Sequence, residues 1–128
     1  MKTALTIEES QRLIELGVDP KMASTTCINF NGTYAYVSGE ESETVRDCVN
    51  GQYYTEECSC FTLADILSIL PKEIEIEGEK EDLNIVMDNF GALVGYPKFH
   101  EKHGCAFVAP ELIDALNQLL IWCLEQKL

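Results

Sequence analysis

The sequence predicts an α+β fold: an antiparallel sheet built from hairpins, packed with about three helices in a single layer on one face. Three observations lead there. Apolar residues recur at helical spacing near the start, in the middle and at the end of the chain. Between those segments the period changes to short β-forming runs separated by turn residues. No linker, repeat or low-complexity tract interrupts the 128 residues, so residues 1–128 are read as one domain with a single core.

Thr6-Ile7-Glu8-Glu9 has the form of a capping box, in which the Thr6 hydroxyl accepts from early backbone N–H groups and Glu9 reaches back to the Thr6 amide. A helix is expected from there to about Leu16, carrying Leu13, Ile14 and Leu16, with Gly17 as its stop. Asp19-Pro20-Lys21-Met22 reads as a turn or one short helical turn. Cys27–Phe30 and Thr33–Val37 flank Asn31-Gly32, a strong signal for a short hairpin because both central residues of a type I′ turn need positive φ. The signal recurs at Asn50-Gly51, between residues 44–49 and 52–55, which suggests an antiparallel meander.

Thr62 caps a second helix, with Asp65 in its positive first turn and Leu63, Ile66, Leu67 and Leu70 on one face before Pro71 ends it. Glu73-Ile74-Glu75-Ile76-Glu77 alternates strictly and reads as a strand with one wet face, its charges discouraging edge pairing. The rest of the acidic run to Asp82 reads as solvated surface. A third hairpin joins Leu83–Met87 to Ala92–Tyr96 around Asp88-Asn89-Phe90-Gly91, and Cys105–Val108 forms a further strand. Pro110 suits the first position of the last helix, where its missing N–H costs nothing, and Glu111 complements the dipole. From Leu112 to Leu124 apolar residues spread around the whole helix, which is either sandwiched in the core or also covers a partner.

Twenty-two acidic residues against nine basic ones give a formal net charge of −13. Such a surface repels nucleic-acid backbones and anionic membranes and favours basic partners, so direct nucleic-acid or membrane binding is not expected. The N-terminal MKTALTIEES lacks the apolar core and cleavage site of a signal peptide, and the apolar run Leu119–Leu124 is too short to cross a bilayer. A cytoplasmic location is therefore expected, with six reduced cysteines; the sequon at Asn31-Gly32-Thr33 then carries no meaning.

Three phrases stand out together: LTIEESQRLIELGVDPKMAS, FTLADILSILPKEI and APELIDALNQLLIWCLEQK. As a set they resemble a group of small proteins encoded in phages and prophages of anaerobic gut bacteria, a group without an assigned activity. The resemblance spans the three expected helices, a little under half the chain. It implies a shared fold and a mobile-element accessory role, and it transfers no catalytic residue.

The chemistry-bearing stretch is His100-Glu101-Lys102-His103-Gly104-Cys105. His100, His103 and Cys105 are suitable ligands for zinc, and Cys58 with Cys60, or Cys48, would complete a tetrahedral set. The spacing fits no established ligand signature. A polar hairpin turn between two extended segments, closed by Gly104 at a left-handed position, accounts for the same residues and is the reading preferred here, with no cofactor expected. Cys58-Ser59-Cys60 also has the form of a redox pair just before a helix N-terminus, against the alternative of small side chains in a strand. No pair of carboxylates is distinguished as an acid/base couple, and no calcium-loop, Walker or nucleophile-elbow pattern is present.

Tyr34, Tyr36, Tyr53 and Tyr54, in adjacent hairpins, together with Trp122, are candidates for an interaction surface. Three functions are thus expected in order: a non-enzymatic accessory protein that binds another protein, its acidic surface masking a basic host target; a small metal- or thiol-dependent enzyme using His100, His103 and Cys105; and a phage structural component, with a homodimer through the last helix.

Overall fold

The computed structural model describes residues 2–30, 33–38 and 54–128, as backbone alone at 27–30, 33–38 and 54–58. The fold is α+β, with helices and, among the described residues, three small antiparallel sheets. The chain divides into two compact units, one formed by Ala4–Asp65 and the other by Met1–Thr3 with Ile66–Leu128. No helix among the described residues is long and apolar enough to cross a membrane.

In the first unit, helix α1 (Ile7–Glu15) begins where the capping box places it. The Glu9 amide donates to Thr6 Oγ1 at 3.2 Å and the Thr6 amide to Glu9 Oε1 at 3.0 Å. Asp19 caps a 3₁₀ turn, Pro20–Met22, by accepting from the Lys21 amide at 2.9 Å. Strands β1 (Thr25–Phe30) and β2 (Thr33–Ser38) pair antiparallel up to Phe30↔Thr33, as the Asn-Gly signal requires. Strand β3 (Tyr54–Cys60) pairs with the other side of β1, so the described strands lie in the order β2-β1-β3. The hairpin expected at Asn50-Gly51 lies outside the described residues.

Helix α1 packs on β3. Leu5, Leu13, Cys60 and Phe61 are buried there, and buried Ser10 accepts from the Phe61 amide at 3.2 Å, so the polar residue in this core is satisfied. Helix α2 (Leu63–Ile69) starts with a second reciprocal cap: the Asp65 amide donates to Thr62 Oγ1 at 3.2 Å and the Thr62 amide to Asp65 Oδ2 at 2.9 Å. The same carboxylate oxygen accepts from the amide and hydroxyl of Ser24 at 2.8 and 2.9 Å. The boundary between the units falls within α2.

The second unit contains two sheets. Strands β4 (Glu73–Ile76) and β5 (Glu79–Asp82) form a hairpin through Glu77 and Gly78, both at positive φ (53° and 82°). Glu79, Lys80 and Asp82 are exposed, in keeping with the solvated surface read from the sequence, but the segment is also a strand, which four consecutive charged residues do not signal on their own. Strands β6 (Asn84–Asp88), β7 (Gly91–Gly95) and β8 (Ala106–Ala109) form the other sheet in the order β6-β7-β8, with β6 and β8 both antiparallel to β7. Asp88 shapes the β6–β7 turn by accepting from the amides of Phe90 and Gly91 at 2.7 and 3.0 Å.

Between β7 and β8 the chain forms a 3₁₀ turn, Pro97–Phe99, and then one turn of helix, α3 (His100–His103), capped by Gly104 at φ 61°, ψ 37°. The expected polar hairpin loop is thus corrected to a helical turn. The left-handed position assigned to Gly104 is present, but it serves as a helix C-cap. Helix α4 (Leu112–Gln126) packs on β7 and β8. It begins two residues later than Pro110, because Glu111 is still extended (φ −105°, ψ 133°) and acts as the N-cap. Lys2 secures this end, its amide donating to Glu111 at 3.1 Å and its ammonium pairing with Asp114 at 2.7 Å. Between Leu112 and Leu124 seven residues are buried, five are partly buried and Gln118 is exposed, so apolar side chains on more than one side of the helix are at least partly covered.

Candidate interaction face

The strand registers sort the side chains of the second sheet onto two faces. Ala92 and Val94 of β7 are buried on the side covered by α4, so Leu93 points the other way. Val86 lies opposite Leu93 on one flank and Val108 on the other. These three residues form a cross-strand row on the face turned away from α4, and they are 51%, 44% and 71% exposed. Phe90 projects from the adjacent β6–β7 turn at 91% exposure. A solvated face of an antiparallel sheet ordinarily carries polar side chains at these positions. An exposed apolar row in that place is a candidate contact surface.

A groove of about 310 Å³ lies against this face, lined by Leu93, Val108, Ala106, Pro97, Asn84 and His100 among others. Its floor is set by Gly95. A Cβ added there would stand 2.4 Å from the backbone oxygen of Cys105 and 3.0 Å from Ala106 Cα, so only glycine permits this approach of β7 to β8. His100 and Asn84, both exposed, supply the polar side chains of a mainly apolar groove.

The structure separates the residues grouped in the His-Cys stretch. His100 lines the apolar groove, whereas His103 lines a different cavity of about 240 Å³ with Glu77, Glu79, Lys98, Glu101 and Lys102. The ring of His103 packs edge-on against Phe99, with centroids 6.0 Å apart. Cys105 is fully buried and its thiol donates to the Tyr96 carbonyl at 3.4 Å. Cys60 is buried in the other unit's core, while Cys48 and the Cys58 side chain lie outside the described residues. Among the described residues no group of three His, Cys, Asp or Glu side chains converges as metal ligands do.

Cys105 belongs to a polar cluster inside the core. Tyr96 donates its hydroxyl to the Pro71 carbonyl at 2.5 Å, and the Cys123 thiol points at that hydroxyl oxygen from 3.9 Å. Burial raises the Tyr96 phenol well above its ordinary range, raises the Cys105 thiol, and pushes Cys123 up to about 11. Both thiols are therefore protonated at neutral pH, the opposite of what a nucleophile or metal ligand requires.

Of the aromatic candidates, Trp122 is half-buried and its indole N–H is bonded to the His103 carbonyl. The side chains of Tyr34, Tyr36 and Tyr54, and Tyr53 altogether, lie outside the described residues. Val86, Leu93, Val108 and Phe90 were not candidates from sequence. Their signal was the missing alternation: Ala92-Leu93-Val94 and Phe107-Val108-Ala109 place apolar residues on both faces of strands covered by a helix on one side only.

Comparison with protein-family models, with curated proteins and with solved structures finds no match, so function is read from this geometry.

Proposed function

We propose that the protein is a non-catalytic binding module that docks another protein on the outer face of the β6-β7-β8 sheet. The carrying observation is the Val86–Leu93–Val108 row, three exposed apolar side chains aligned across three strands. The partner that fits is a protein segment with apolar side chains for the row and groove and basic residues around them. The second requirement follows from the net charge of −13, which attracts cations and repels nucleic acid. The protonated, buried state of Cys105 and Cys123 supports a binding role over thiol chemistry. A cytoplasmic accessory protein of a phage or prophage that masks a basic host protein is the biological setting in which these properties make sense.

The test is affinity capture from host lysate with the wild type and with Leu93→Asp/Val108→Asp. Both side chains are exposed, so the variant is expected to fold. A protein held by the wild type, lost by the variant and released as salt rises supports the proposal. Identical captures by both proteins, or none by either, overturn it.

A further inference from the structure

Strand β6 has a neighbour on one side only among the described residues, and all five of its residues are exposed. Its exposure is unusual because it carries exposed apolar side chains on both faces. Val86 belongs to the outer row, whereas Ile85 and Met87, opposite Val94 and Ala92, point to the α4 side. There they remain 39% and 56% exposed, because α4 packs on β7 and β8 and leaves β6 overhanging. Free strand edges are normally blunted by lysine, proline or a bulge. Asn84-Ile85-Val86-Met87-Asp88 contains no lysine and no proline, and its register with β7 is unbroken. The charged β5 shows the contrast within the same unit.

We infer that β6 pairs antiparallel with β6 of a second copy, joining two sheets into one of six strands about a twofold axis through Val86. The strand is complementary to itself in this register. Val86 meets Val86 of the second copy, Ile85 meets Met87 of the second copy, and the Asn84 amide faces the Asp88 carboxylate of the second copy, twice by symmetry. The neighbouring register, centred on Ile85, would instead set Asp82 against Asp88 of the second copy, a like-charge pair that disfavours it. The backbone groups along the edge gain partners, and Ile85 and Met87 gain apolar neighbours on the face that α4 leaves open. The pairing leaves Leu93 and Val108 uncovered and rests on neither the identity nor the existence of a separate partner.

Two chains of charge −13 repel, so salt strengthens this association, whereas it weakens contact with a basic partner. Sedimentation equilibrium of the full chain, from micromolar to near-millimolar concentration at low and high salt, is expected to show a monomer–dimer equilibrium that shifts toward dimer with salt. Val86→Lys places two ammonium groups at the axis and abolishes the dimer; circular dichroism checks that the variant is folded. Asn84→Asp weakens dimerisation about tenfold and Asn84→Lys strengthens it, since symmetry applies each change twice. A monomer at every concentration and both salts overturns the inference. So does a dimer that salt weakens, or one indifferent to Val86→Lys and Asn84→Asp. Loss of lysate capture by Leu93→Asp/Val108→Asp with the dimer intact would separate this surface from the docking face.

Discussion

The indole N–H of Trp122 donates to the backbone carbonyl of His103 at 3.1 Å, joining the last helix to the end of the His100–His103 turn. Carbonyls at a helix C-terminus lack partners within the helix, and the indole satisfies one of them. Trp122→Phe keeps most of the apolar contact and removes this donor. It is expected to lower stability by about 1 kcal/mol, measured as a reduced urea midpoint at unchanged slope. An unchanged midpoint would mean that the bond contributes nothing in solution.

Alkaline pH should destabilise the fold. Tyr96, Cys105 and Cys123 all have folded-state pKa values raised by burial, with Cys123 near 11 against an ordinary thiol value of 9.0. Above the ordinary value the unfolded chain releases protons that the folded chain keeps, so the folded state binds more protons and stability falls as pH rises. The stabilising contribution of Cys123 is intact below pH 9.0 and is lost progressively toward about 11. Urea midpoints recorded across this range should decline; a flat profile would contradict the burial of this cluster.

Gly95→Ala should be costly although alanine is small. The added methyl meets the Cys105 carbonyl at 2.4 Å, and because Gly95 ends β7 and Cys105 leads directly into β8, neither can shift without disturbing the Gly95↔Ala106 pairing. A loss of about 1–3 kcal/mol is expected. Val108→Thr, on the exposed face of the neighbouring strand, should change stability by less than about 0.5 kcal/mol. Thermal melts of the two variants side by side decide the point.

Asn117 sits in the buried stretch of the last helix with Oδ1 unpaired among the described residues. Burial without a partner forfeits the hydration of that oxygen. Asn117→Leu is therefore expected to stabilise the protein by about 1 kcal/mol, read as a higher melting temperature. A fall in melting temperature would show that the amide is bonded in solution.

Local chemistry was legible in the sequence and tertiary chemistry was not. Thr6 and Thr62 announced their helices because a capping box is complete within four residues. Gly104 announced a left-handed residue, but polar residues such as His100-Glu101-Lys102-His103 suit a loop and a single helical turn equally, so the kind of connection was misjudged. Glu79–Asp82 was hidden because its strand exists through pairing with β4 and not through its own propensity. The exposed apolar row was hidden for a related reason. Val86, Leu93 and Val108 are far apart in the chain, and only the registers of β6 and β8 on β7 align them.

Strand β7 carries two independent messages, with Ala92 and Val94 facing α4 and Leu93 facing outward. The outward positions can therefore change while the buried side chains beneath them stay fixed. One strand thus separates the demands of packing from those of surface chemistry, so substitutions on its outer side leave the scaffold's interior contacts as they are.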